Sequence, residues 1–384
     1  WLKCSGSSSR PLRHDRELGP PMPWASVNAS APVRLFYQVH LPSNTALGEE
    51  RGRCLLCTGF QTEGYTWEKQ LDALLDRGYA CVTFDNRGCG RSGQPPYRYT
   101  TSMLARDAME LLCVELAWKP QEVHLVGVSM GGMYALEMMA GLREGAYADI
   151  LAPDGGAAFL SAALLVTMAA GWRGGLEGTV PSGFFRIMAS AALVPGRSAR
   201  AKIFRSMEQA FSKEWLRADS GVKHPKTGMA MTNAQVLTRR GAREYYAKVA
   251  EGVPPMSGWG AYVGQVLAVL THSVGGARLQ LLSQHLAGTC PVLVVCAGED
   301  RMVRYAAQRR VAASLRPAVV EVLDMPDSSH GVTEERREDV NAALCRLMET
   351  AEEWRTLRAE GRKVSLPAVP HRSGLTSVPL HSRL

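Results

Sequence analysis

The sequence predicts an α/β fold: a mainly parallel, doubly wound sheet with an inserted helical cap. Three observations carry this expectation. Short apolar runs with β-branched residues alternate with helix-period segments over the first part of the chain, which implies βαβ units. The alternation stops over residues 172–286, where apolar spacing turns helical, and it resumes with "CPVLVVCAGED" at residues 290–300. Several strand-like runs end on glycine, serine or a carboxylate, and parallel sheets place chemistry at the carboxyl ends of their strands.

Taken in order, residues 1–30 are rich in Pro, Ser, Gly and Arg without apolar periodicity and are expected to be a disordered tail, as are residues 364–384. Residues 31–171 then form the first part of the core. "VRLFYQVH" (33–40) alternates as an edge strand would, and "CLLCTGF" (54–60) runs into a glycine loop. "EKQLDALLDRG" (68–78) has helical spacing with a closing glycine, and "YACVTFD" (79–85) is a strand entering "NRGCGRSG". "TTSMLARDAMELLCVEL" (100–116) is helical, and "EVHLVGV" (122–128) is the next strand. The apolar run 157–172 is too short to span a bilayer and reads as a buried strand with flanking turns, so no transmembrane segment is expected.

The insertion 172–286 contains "SGFFRIMASAAL", "SMEQAFSKEWLRA" and "GWGAYVGQVLAVLTHSV" and is expected to be an all-helical lid. Residues 287–363 complete the core with two further strands, an intervening helix and one long closing helix from Thr333.

Composition narrows the class. With 384 residues, 46% hydrophobic and 21% charged, the chain has ample material for a core. Its net charge of +8 arises mainly before residue 54 and after residue 354, and no nucleic-acid motif accompanies it; the excess reads as solvated tails, not a nucleic-acid surface. Nine scattered cysteines, an odd number, favour reduced thiols and a cytoplasmic setting. Because the first residue is Trp1 and its neighbours are rich in Ser and Arg, a mitochondrial transit segment is the alternative. Cys54 and Cys57 lie three apart on a strand and so point to opposite faces; neither a metal site nor a cofactor is expected.

The chemistry is sought at "GVSMGG", where Ser129 stands between Gly127 and Gly131 at a strand-to-helix junction. This is the pattern of a nucleophile elbow, in which small neighbours let strand and helix approach closely. A base and an acid should come from later strand ends. "PVLVVCAGED" ends in Glu299 and Asp300, and the strand before "SSHG" ends ahead of His330. His330 would take the Ser129 proton and pass it to the leaving group, while the acid holds the imidazole tautomer. Glu299 and Asp300 both compete for the acid, with Asp324 and Asp327 as further rivals. Two backbone donors are needed for an oxyanion: the Met130 N–H at the start of the helix and the Phe60 N–H in "CTGFQTEG". His124 lies in a strand, and His272 on the insertion could face the pocket.

These separated segments together resemble the α/β-hydrolase superfamily over roughly residues 33–350. "DNRGCGRSG" resembles the loop after the fourth strand, "GVSMGG" the elbow, "GEDRMV" the acid-bearing strand end and "SSHGVTEERREDVNAALCRLM" the histidine loop with its closing helix. The resemblance implies an α/β-hydrolase fold and selects Asp300 as the acid. One departure is Thr58-Gly59 where many relatives carry His-Gly. Ser129 argues against relatives with an aspartate or cysteine nucleophile, and the missing Gly-Gly-x-Gly loop against proline iminopeptidases. The implied activity is a serine hydrolase acting on an ester, thioester or lactone; the alternatives are a C–C bond hydrolase, an aminopeptidase or a ligand receptor with a slow site. Phe184, Phe185, Met188, Met256 and Trp259 suggest a small-molecule, apolar acyl-type substrate.

Overall fold

A computed structural model describes residues 24–42, 51–152 (Tyr97 apart), 156, 158–170, 207–364 and, as backbone, 371–373. The strands are β1 (Trp24–Val27), β2 (Val33–His40), β3 (Gly52–Cys57), β4 (Tyr79–Phe84), β5 (Val123–Val128), β6 (Ser161–Leu165), β7 (Asp219–Lys223), β8 (Ala230–Thr232), β9 (Val292–Ala297), β10 (Val319–Met325) and β11 (His371–Ser373). Nine of them build one sheet in the order β1-β2-β4-β3-β5-β6-β9-β10-β11. Only the β1–β2 and β2–β4 pairings are antiparallel; the other pairings in this sheet are parallel.

Every residue of β4, β6 and β9 is buried, as expected of strands covered on both faces. The two-residue period shows in β3, where Leu55 and Cys57 join the core on one side and Cys54 and Leu56 join that on the other. The Cys54 and Cys57 thiols are therefore separated by the sheet. Helix α1 (Glu68–Leu75) buries Gln70, Leu71 and Leu74, α2 is Thr101–Glu110, and α3 (Met130–Glu144) is buried from Met130 to Leu142. The strongly apolar run that follows Ser129 thus becomes a helix enclosed by the molecule.

Several expectations are corrected. Residues 24–27, assigned by composition to a tail, form the edge strand β1, so β2 lies one place in from the edge. Residues 371–373, also assigned to a tail, pair in parallel with β10. The insertion is not all helical: β7 and β8 pair antiparallel beside the helices Lys213–Arg217, Asn233–Ala250, Trp259–Thr271 and Gly276–Leu286. The closing helix breaks at Arg336 into Val332–Glu335 and Arg337–Ala359. Phe184, Phe185 and Met188 lie outside the described residues.

Two histidines are buried in this framework. His124 on β5 shares a hydrogen bond with Ser161 Oγ at 2.8 Å, and His272 shares one with Thr101 Oγ1 at 2.9 Å. Burial pushes both down to about 3; the positive charges of Arg355 and Arg51 add to the effect at His124. In the unfolded chain each titrates near 6.5. The folded state keeps them neutral while the unfolded state gains protons, so stability is full above that value and is lost as pH falls toward 3. Asp85, raised to about 7 by burial and then by Glu63, acts in the opposite sense over the same window. We expect His124→Phe to lose about 2–3 kcal/mol less than wild type between pH 7 and pH 4.5 in urea unfolding. Equal losses in the two proteins would show that His124 takes up its proton without unfolding.

Candidate active site

Ser129 occupies the turn between β5 and α3 with φ 55° and ψ −120°, a conformation that a non-glycine residue adopts only when its surroundings hold it. Two hydrogen bonds do so. The Ser129 N–H donates to Leu165 O at 2.9 Å, and Thr167 Oγ1 donates to Ser129 O at 2.7 Å. The glycines answer to space: a Cβ on Gly131 would lie 2.1 Å from Cys57 O, and one on Gly127 would lie 2.6 Å from Gly131 O. Helix α3 therefore lies directly on the end of β3, and the loop that follows β3 is brought against Ser129. The position of a Cβ on Gly59 is 3.4 Å from Ser129 Cβ.

Asp300, just past the end of β9, meets His330 in the loop after β10. Asp300 Oδ2 lies 2.7 Å from His330 Nδ1 and accepts from Gln308 Nε2 at 2.9 Å; Oδ1 accepts the Met302 and Val303 N–H groups at 2.7 and 2.9 Å. A carboxylate this deeply buried requires such donors. Gln308 is itself fixed, accepting from Ala297 N–H at 2.8 Å and donating to Val303 O at 2.8 Å. With Nδ1 facing Asp300, the remaining nitrogen of the ring is Nε2. Ser129 and His330 line one cavity of about 380 Å³, although no direct hydrogen bond joins Ser129 Oγ to the ring. Such contacts commonly tighten only when substrate is bound.

The rival acids are elsewhere. Glu299 and Asp327 are exposed, and Asp324 bonds Tyr305 Oη at 3.0 Å and pairs with Arg309. Phe60 lines the cavity, and Met130 opens α3, where the first N–H groups of a helix lack partners inside it. Thr58, at the departure from His-Gly, is fully buried. Asn86 Nδ2 donates to its carbonyl at 3.2 Å and to Oγ1 at 3.0 Å, so the loop after β4 braces the loop after β3.

The cavity also receives the insertion. Met207, Phe211, Leu237, Met256 and Tyr262 supply apolar walls together with Phe60, Val128 and Met302, and the Tyr262 and Phe60 rings meet edge to face with centroids 5.3 Å apart. Trp259 is 59% exposed and stacks on Tyr262 outside the lining, and His272 is buried away from it. Charged groups at the wall are paired: Lys248 with Glu63 and Arg240 with Glu334. Thr167, Gln308 and Gln265 escaped sequence reasoning because their roles depend on partners remote in sequence, with no local signal to mark them.

Residues 54–343 match the Alpha/beta hydrolase family, and the chain belongs to it. A stretch of 105 residues is 34% identical to a protein provisionally named carbamate hydrolase RutD from Variovorax paradoxus (strain S110), covering 27% of this chain and 36% of that protein. A second, provisionally named non-heme chloroperoxidase from Synechocystis sp., is 34% identical over 113 residues, 29% of this chain and 37% of its own length. The matches thus span little more than a third of these relatives. Among solved structures, the chain is similar to a thermophilic esterase from Thermogutta terrifontis, with TM-score 0.56 and 19% identity over 86% of this chain and 99% of that one. The enol-lactonase from Burkholderia xenovorans LB400 has TM-score 0.55 and 18% identity over 85% and 100%. At these identities the likeness concerns the fold.

Gly131→Ala places its methyl against a backbone carbonyl that cannot move without shifting β3. We expect a loss of more than about 3 kcal/mol in urea unfolding, or no soluble folded protein. A Gly131→Ala protein within 1 kcal/mol of wild type, an order set by ordinary surface substitutions, would contradict this packing.

Proposed function

We propose that this chain is a serine hydrolase that cleaves an ester, thioester or lactone through an acyl-enzyme. The observation that carries the reading is the Asp300–His330 hydrogen bond at the rim of a cavity that also holds Ser129 on its strained turn. In this reading Asp300 keeps a proton on Nδ1, so Nε2 is free to accept the Ser129 proton as Oγ attacks the carbonyl carbon. The carbonyl electrons move to oxygen, where the Phe60 and Met130 N–H groups receive the negative charge. His330 then donates the proton to the leaving group, and water repeats the sequence on the acyl-enzyme. The inserted segment acts as a cap over the site.

The cavity supports a small-molecule acyl substrate. Its volume, about 380 Å³, falls in the range of small-ligand sites, and its charged wall residues are already neutralised in pairs. A fluorophosphonate probe should label Ser129, and Ser129→Ala should abolish both labelling and turnover of p-nitrophenyl esters. Asp300→Asn should lower kcat by about 10³–10⁴-fold, because the wrong tautomer is presented to the serine. Folded wild-type protein that takes up no probe would remove the reading; labelling without turnover across ester, thioester and lactone panels would favour a ligand receptor.

A further inference from the structure

We infer that Gln265, a residue of the inserted segment, is a positioning residue for the loop that presents the Phe60 N–H. The inference rests on the hydrolase reading above and adds a residue to it. Gln265 is fully buried on the helix Trp259–Thr271. Its Oε1 accepts the Gln61 backbone N–H at 2.9 Å and Gln61 Nε2 at 3.1 Å, while its Nε2 donates to Arg87 O at 2.9 Å. One side-chain amide therefore ties the insertion to the loop after β3 and to the loop after β4.

The tie falls where the loop is least able to hold itself. Gln61 follows Phe60 directly and has φ 51°, a left-handed conformation that a residue with a Cβ adopts at a cost. Residues 59–62 form a turn closed by Thr62 N–H to Gly59 O at 3.4 Å, a long bond. The Gly59 carbonyl and the Phe60 N–H belong to one planar peptide, so the direction of the one sets the direction of the other. The next peptide, which carries the Gln61 N–H, shares the Phe60 Cα and is held by Gln265. With that bond gone, a part-buried N–H loses its acceptor and the strained turn is released, so the Phe60 N–H is no longer aimed by the fold.

The fit is specific to an amide. An acceptor must face Gln61 and a donor must face Arg87 O, and no other uncharged side chain of this length offers both on one plane. The helix is close enough because of Gly264: a Cβ there would lie 2.8 Å from the Tyr99 ring. Gln265 does not itself line the cavity; it acts through Gln61, which does.

The test is steady-state kinetics of p-nitrophenyl butyrate on the full chain, with kcat expressed per serine that reaches end-point labelling by a fluorophosphonate probe. That normalisation removes any misfolded fraction, which a merely structural role would change. Gln265→Leu is expected to lower kcat per labelled site about 10–100-fold with KM within about 2-fold, since alignment of one oxyanion donor is at stake. Affinity for an alkyl trifluoromethyl ketone, which forms a tetrahedral adduct with the serine, should fall by a similar factor. Gln265→Glu keeps the acceptor for the Gln61 N–H and should retain more activity than Gln265→Leu; Gln265→Met, which lacks that oxygen, serves in place of the leucine variant if the latter does not fold. Wild-type kcat per labelled site and ketone affinity in a folded Gln265→Leu or Gln265→Met, beside an active wild type, would overturn this inference alone. A wild type that neither labels nor turns over would remove the hydrolase reading and the inference with it.

Discussion

Ser129 sits in a backbone conformation that the chain would not choose unaided, and the molecule is arranged around holding it there. Its N–H goes to Leu165 and its carbonyl to Thr167, so the turn is fastened to the neighbouring strand β6 and not to its own helix alone. The same turn demands glycine at position 131, because the first turn of α3 rests on the carbonyl of Cys57. That contact in turn fixes where the loop after β3 begins. Strain of about 1–3 kcal/mol at one residue is thereby supported by a sheet and a helix that are otherwise almost wholly buried.

Around this point the inserted segment grips the core on two sides. Toward the histidine loop, Gly331 N–H donates to Ala210 O at 2.8 Å, Ser212 N–H donates to Glu335 at 2.8 Å, and Arg240 pairs with Glu334. Glu335 also receives Ser328 Oγ and the Ser329 N–H, so one carboxylate collects both the insertion and the approach to His330. Toward the loops after β3 and β4, Lys248 pairs with Glu63, Arg91 pairs with Glu244 and Glu251, and Gln265 joins Gln61 to Arg87. Polar groups buried at such a seam need partners on the opposite side, which sets the seat of the insertion more narrowly than apolar contact would.

Much of the plan was legible because it is local or periodic. Fully buried strands such as "VLVVCA" and the continuous apolar run "CLLC" show in composition, and glycines flanking Ser129 mark a turn with no room for side chains. The ends of the chain were less legible. Trp24–Val27 and His371–Ser373 are short segments within Pro-, Ser- and Gly-rich sequence, and their pairing with Phe36 and Val322 shows only in the fold. The hairpin of β7 and β8 escaped notice for the same reason: its residues are mostly exposed and show no apolar alternation.

By itself the sequence determined the succession of the core strands β2 to β6, β9 and β10 with the helices between them, the family, and which side chains stand at strand ends, since these follow from periodicity and from motifs read along one stretch of chain. Only the tertiary structure decided that Gln308 braces the Asp300–His330 pair and that Gln265 reaches the Gln61 N–H. Those choices rest on distances between residues far apart in the chain, and a hydrogen bond of about 3 Å is set by how packed elements come to rest, which no local pattern records.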